Sequence, residues 1–72
     1  MQPVGEYEHY KGDRYRVLFE AIESTNARDG RAVVVYLSLG KGTIRCRDKA
    51  EFNELVTWPD GSQQPRFRFI AE

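Results

Sequence analysis

Three features of this sequence predict a small, mostly β domain: a partly open antiparallel barrel of five or six strands with one short helical segment. Aromatic and β-branched residues fall in short runs, several with period two, separated by clusters of Gly, Pro, Asn, Asp and Ser. Helical spacing of apolar residues is confined to one stretch, within about Asp48 to Leu55. The length, 72 residues, allows one domain and one small core, because so short a chain buries only about 60% of its unfolded surface. Such a chain is too short for a sandwich of usual size and has too little helix for a layered α/β fold. Residues 1–72 are therefore read as a single β-barrel domain.

Each element follows from local chemistry. Gly5 to Tyr10 reads as a strand with one wet face, since Tyr7 and His9 alternate with Glu6 and Glu8. Lys11-Gly12-Asp13 turns the chain into Arg14 to Glu23, where Tyr15, Val17, Phe19 and Ala21 recur at period two. A three-residue connection there places Glu8 opposite Arg16, Tyr7 opposite Val17 and His9 opposite Tyr15, and sets Tyr10 beside Arg14. Ser24 to Gly30 is polar and ends on Asp-Gly, which predicts an exposed hairpin loop. Arg31 to Leu39 includes Ala32 to Leu37, an almost continuous apolar run, and is placed at the centre of the sheet. Gly40-Lys41-Gly42 breaks that run before a fourth short strand, Thr43 to Arg47. Asp48 followed by Glu51 comes close to a capping box, and Phe52, Leu55 and Val56 then recur at helical spacing. Pro59-Asp60-Gly61-Ser62 is a strong turn signal, and Pro65 to Ile70 alternates as the closing strand. The expected core is Val17, Phe19, Ile22, Val33, Val35, Leu37, Ile44, Phe52, Leu55, Trp58, Phe67 and Phe69.

Composition narrows the function. Eleven Lys and Arg balance eleven Asp and Glu, so no global field draws the chain to nucleic acid or to an anionic membrane, and any anion site must be local. No apolar run approaches the roughly 20 residues of a membrane span. Met1 to Glu6 lacks the basic and apolar segments of a signal peptide, so a cytoplasmic location is expected, with no membrane partner. One cysteine, Cys46, cannot close an intrachain disulfide, and beside the one histidine, His9, it is too little for a Cys/His zinc cage. Cys46 is expected as a small core residue rather than a thiolate activated by Arg45 and Arg47, whose side chains point to the other face of a strand. His9 lacks an evident catalytic partner and reads as a packed, hydrogen-bonded residue at the barrel rim. Asp48, Glu51 and Glu54 are expected to be solvated or engaged with the helix start, so no metal is assigned. Gly40-Lys41-Gly42 lacks the spacing of a phosphate loop. No cofactor and no catalytic residue is assigned, and the chain is read as a binding module, with a small enzyme using His9 or Cys46 as the lesser alternative.

Several blocks together resemble a known family. Glu8-His9-Tyr10-Lys11-Gly12, Tyr15-Arg16-Val17-Leu18, Val34-Val35-Tyr36, Arg47, Phe52 and Pro65-Arg66-Phe67, in this order, are similar to the small bacterial and phage family catalogued as domain of unknown function 1653. The resemblance covers about Tyr7 to Ile70. It implies a bacterial β-rich, SH3-like domain and carries over no catalytic residue. The family typically reads Trp-Val-Arg-Pro-x-x-Met-Phe where this chain has Arg45-Cys46-Arg47-Asp48-Lys49-Ala50-Glu51-Phe52. Where that tryptophan lines a shared pocket, Arg45 makes the equivalent surface cationic.

The most distinctive motif is a triplet repeated three times: Arg14-Tyr15-Arg16, Arg45-Cys46-Arg47 and Arg66-Phe67-Arg68, which uses six of the eight arginines. At period two each pair leaves its strand on one side, so three neighbouring strands could assemble a guanidinium surface. Guanidinium groups bind phosphate or carboxylate bidentately and stack on aromatic or base planes. With Tyr10 or Trp58 stacking, the expected ligand is nucleic acid or a nucleotide-like molecule. An extended protein partner is the alternative. The same arginines could instead pair with Glu6, Glu8, Glu20, Glu23, Glu51 and Glu54 as a solvated charge lattice, each exposed pair worth about 0.2–1 kcal/mol. A monomer or a weak homodimer through an exposed edge strand is expected.

Overall fold

In the computed structural model, which describes residues 1–27 and 29–72, strands β1 (Gly5–His9), β2 (Arg14–Ile22), β3 (Ala32–Ser38) and β4 (Ile44–Asp48) follow one another as an antiparallel meander. Helix α1 (Lys49–Phe52) and a small hairpin of β5 (Leu55–Thr57) and β6 (Gln63–Pro65) come next, and β7 (Phe67–Ala71) returns to pair with β1. The five-stranded sheet has the order β4-β3-β2-β1-β7 and is not closed; β4 and β7 are its edges. The chain is thus mostly β with one short helix, as its sequence predicts, but with seven strands among the described residues. The two extra pieces have local causes. Leu55 and Val56 join β5 rather than extending the helix, and the closing strand is split at Arg66, whose N–H donates to the Glu54 carbonyl at 2.8 Å. Among the described residues no helix is long and apolar enough to cross a membrane.

The first hairpin differs from the expected register by two residues. The His9 N–H donates to the Asp13 carbonyl at 2.8 Å and the Gly12 N–H to the His9 carbonyl at 2.7 Å. Tyr7 therefore faces Tyr15, Glu8 faces Arg14 and Glu6 faces Arg16. A two-residue slip is a full strand period, so the inward and outward faces are preserved while every partner changes. The loop after β2 closes through Glu23 N–H to Arg31 carbonyl and Gly30 N–H to Glu23 carbonyl, at 2.8 and 2.9 Å. Its described residues between Ser24 and Gly30 are exposed; Arg28 of that loop lies outside the described residues.

The inner face of the sheet carries a core of rings. Tyr7, Tyr15, Val17, Val34, Tyr36, Phe52 and Phe67 form one buried cluster. Phe52, delivered by α1, stacks flat on Phe67 at 4.1 Å between centroids and meets Tyr7 edge-on at 5.4 Å. Asp48 caps the helix by accepting from the Ala50 N–H at 3.0 Å. Gly5 lies so close to the end of β7 that a Cβ there would sit 2.5 Å from the Ala71 carbonyl oxygen.

Five of the expected core residues are on the surface: Phe19, Ile22, Ile44, Leu55 and Phe69. Val33, Val35 and Leu37 are half-buried on the outer face, while Val34, Tyr36 and Ser38 point inward. The cause is register. Tyr15 and Val17 fix the inner face of β2, and their partners Ser38 and Tyr36 fix that of β3. A register shift between Val17 and Phe19 then turns Phe19 outward and brings Glu20 opposite Val34.

Candidate ligand-binding site

The six arginines do not form one surface. Arg14, Arg16 and Arg68 lie on the outer face, where β7, β1 and β2 run side by side, and there they interleave with glutamates. Arg14 reaches Glu6 at 2.9 Å, Arg16 reaches the same carboxylate at 3.8 Å, and Arg68 reaches Glu8 at 3.0 Å. Arg47 pairs with Glu51 at 2.9 Å and Arg66 with Glu54 at 2.6 Å, both beside α1. Arg45, by contrast, donates to Thr43 Oγ1 at 3.1 Å and holds no carboxylate within ion-pair distance among the described residues. Glu20, in the same lattice, pairs with Lys49 at 3.0 Å.

Four of the eight sequence-predicted residues do come together. The first hairpin and the β5–β6 turn face one another across a groove of about 280 Å³, lined by Glu8, Tyr10, Lys11, Gly12, Trp58, Pro59, Asp60 and Arg68. Trp58 is its floor: the ring is buried and its indole N–H donates to the Pro65 carbonyl at 2.9 Å. Arg68 lies over that ring at 4.1 Å, held by Glu8 and by Gln64 Oε1. Tyr10 forms the opposite wall, with Arg66 at 5.9 Å and Lys11 at 5.7 Å from its centroid. Arg14, expected as the partner of Tyr10, is bound to Glu6 instead, a consequence of the two-residue slip. In the sequence Lys11 reads only as a turn residue. Its place beside Tyr10 at the hairpin tip is the signal that could have marked it.

The acids in the groove are already engaged. Glu8 is held by Arg68. The Asp60 carboxylate accepts from the hydroxyl and the backbone N–H of Ser62, at 2.6 and 2.9 Å, and these bonds hold its pKa below the usual value. Lys11 carries the ammonium that has no carboxylate within ion-pair distance among the described residues of the groove. A planar group can therefore meet the guanidinium and tyrosine faces while an anion meets Lys11.

Behind the groove, His9 is buried against Tyr10, Tyr15 and Phe67, with ring centroids 4.6, 6.0 and 4.8 Å away. Its Nδ1 accepts from the Lys11 N–H at 3.2 Å, which fixes the hairpin tip. Burial, then Arg47, Arg66 and Lys11, push its pKa down, with Asp13 opposing. Burial works against the charge on Arg47, yet Tyr36 and Glu51 outweigh it and hold that pKa above its usual value. Cys46, expected in the core, is exposed on the outer face opposite Val35. Among the described residues no three His, Cys, Asp or Glu side chains are grouped to hold a metal ion.

The profile of a family described as protein of unknown function, DUF1653, matches residues 5–69. This chain belongs to the DUF1653 family. A crystal structure of a DUF1653 protein from Bordetella bronchiseptica is similar at 33% identity with a TM-score of 0.82, covering 97% of this chain and 88% of that one. No curated protein matches the chain. The DUF1653 match spans β1 to β7 and so includes both walls of the groove.

Proposed function

We propose that this DUF1653 domain is a non-enzymatic, SH3-like binding module of the bacterial cytoplasm that takes an anionic ligand bearing a planar group, a nucleotide or single-stranded nucleic acid. The observation that carries the reading is the groove in which Arg68 stacks on Trp58 facing Tyr10, with Arg66 and Lys11 alongside. Base planes stack on guanidinium and phenol faces irrespective of base identity, and a lone ammonium attracts phosphate. The bacterial origin of the similar crystal structure supports the source, and an exposed free thiol at Cys46 suits a reducing compartment.

The test is backbone-amide shift mapping with nucleoside monophosphates and a short single-stranded oligonucleotide at two salt concentrations. Shifts should cluster at Tyr10 to Gly12 and at Trp58 to Asp60, and weaken as salt rises, because phosphate binding releases counterions. Tyr10→Ala and Lys11→Ala should abolish them without unfolding the domain. Unmoved amides at low salt would refute the reading.

A further inference from the structure

We propose that two copies of this domain pair face to face through the outer surface of β2, β3 and β4, with the strands of the two sheets crossing at nearly a right angle. This goes beyond the nucleotide reading, whose groove lies between the first hairpin and the β5–β6 turn.

The outer face of the five-stranded sheet is divided. Where β7, β1 and the start of β2 run together it carries Arg68, Glu8, Glu6 and Arg14. Past the register shift after Val17 it is apolar, and three cross-strand rows define it. Arg16 stands beside Leu37 and Ile44, Phe19 beside Val35 and Cys46, and Ala21 beside Val33 and Asp48. Phe19 is 54% exposed and Ile44 68%. Strand β3 is apolar on both sides, a pattern that belongs to a strand covered on both faces, yet the core covers only the side of Val34 and Tyr36. A second layer would complete it.

The corners of the three rows choose the occupant. Arg16 reaches Glu6 only at 3.8 Å, because Arg14 holds that carboxylate at 2.9 Å, and Asp48 reaches the exposed Arg31 only at 3.6 Å. The pairs Arg47–Glu51, Lys49–Glu20, Arg66–Glu54 and Arg68–Glu8 are all 3.0 Å or shorter. The loosely held cation and the loosely held anion thus stand at opposite corners of one apolar patch. Such a surface is complementary to itself. A two-fold axis along the other diagonal, from Ile44 to Ala21, brings Arg16 of each copy against Asp48 of the other and lays Phe19 on Val33 and Leu37 on Cys46. With strands about 4.8 Å apart and rows about 6.6 Å apart, that axis crosses the strands of the two sheets at about 75°, within the orthogonal class of sheet packing. An axis along the strands would leave Arg16 against Ile44, and one along the charged diagonal would set like on like. With their side chains the rows cover roughly 400–500 Å² per copy, less than the ~800 Å² per partner of a stable interface, so the dimer is weak.

The experiment is sedimentation equilibrium of the whole domain from about 20 μM to about 1 mM, with amide shifts followed over the same range, since self-association rises with protomer concentration. Dimer should appear toward the upper end, with shifts that grow with concentration at Phe19, Val35, Leu37 and Cys46. Ile44→Asp, an exposed substitution, should weaken dimerisation at least about tenfold without unfolding the domain. Arg16→Glu and Asp48→Lys should each weaken it, and an equimolar mixture of the two should recover it, because the mixed dimer again sets opposite charges at both corners. Asp48→Asn, which keeps a side chain able to cap α1, should weaken it while circular dichroism stays unchanged. Tyr10→Ala, which removes a wall of the nucleotide groove, should leave dimerisation as it was. The proposal is overturned if the domain remains monomeric at 1 mM, which would leave this face to another partner or to solvent, if Ile44→Asp dimerises as well as the original chain, or if the folded charge-reversed variants fail to recover dimer on mixing.

Discussion

Replacing Phe52 by alanine is expected to bring this domain close to its stability limit. The ring is fully buried, stacked on Phe67 at 4.1 Å, and within 5.4 and 5.5 Å of Tyr7 and Tyr36. It is also the large side chain by which α1 is fastened to the sheet. Removing roughly 150 Å² of buried ring surface at about 25 cal/mol per Å² loses close to 4 kcal/mol. Aromatic pairing adds about 0.5–1.5 kcal/mol. Relaxation of a one-turn helix into the vacated space offsets part of this, so a net cost of about 3–4 kcal/mol is expected, inside the range of about 3–5 for Phe→Ala. A chain of this size has a total stability of roughly 4–11 kcal/mol. Urea unfolding followed by Trp58 fluorescence and by far-ultraviolet circular dichroism should show the lost midpoint with little change in slope. The melting temperature should fall by roughly 20 °C. Phe52→Leu should cost no more than about 1.5 kcal/mol. A loss below about 1 kcal/mol in Phe52→Ala would mean that α1 does not clamp the sheet through this ring.

The neighbouring valines of β3 separate the two possible faces: Val34→Thr buries a hydroxyl and should cost about 1–3 kcal/mol, whereas Val35→Thr on the outer face should cost under about 0.5. Equal costs in urea titration would contradict the register of β2 with β3. Gly5→Ala should lose about 1–3 kcal/mol, because φ is +146° and the new Cβ meets the Ala71 carbonyl; slowed amide exchange preserved across β1 and β7 in the variant would refute this. Because the folded state holds the His9 pKa below its unfolded value of about 6.5, the unfolded chain takes up the proton first. Stability is thus full above pH ~6.5 and falls as pH drops from there through the lower folded pKa. His9→Gln should flatten that fall in urea midpoints measured between about pH 7.5 and 5, and parallel curves for the two proteins would count against it.

The sequence carried the class and turns of this fold better than its faces. Alternation in Gly5 to His9 and Arg14 to Val17 was readable because charged residues mark the wet side. In Ala32 to Leu37 no polar residue marks a side, so parity could not be read there; it was imposed by pairing with Tyr15 and Val17. The register shift after Val17 leaves no compositional trace in Leu18-Phe19, yet it moved Phe19 from expected core to surface. Leu55 and Val56 have helical spacing from Phe52, but the turn at Pro59 to Ser62 brings Gln63 to Pro65 alongside them, and pairing overrode the spacing.

The arginine triplets show how far period two reaches. It guarantees that Arg14 and Arg16, or Arg45 and Arg47, leave their strand on one side, but it says nothing about which acid stands opposite. In the folded chain Glu6, Glu8, Glu51 and Glu54 engage five of the six arginines, Glu6 holding both Arg14 and Arg16, which a balanced composition permits. Recognition of an anion is then left to side-chain cations that have no carboxylate within ion-pair distance. Among the described residues these are Lys11, Lys41 and Arg45. Lys41 stands in a turn between two glycines with no ring contact. Lys11 stands over Tyr10 in the groove, and Arg45 on the open edge beside Tyr36. Net charge cannot reveal either position, because it is the local departure from pairing, not the sum, that an anionic ligand meets.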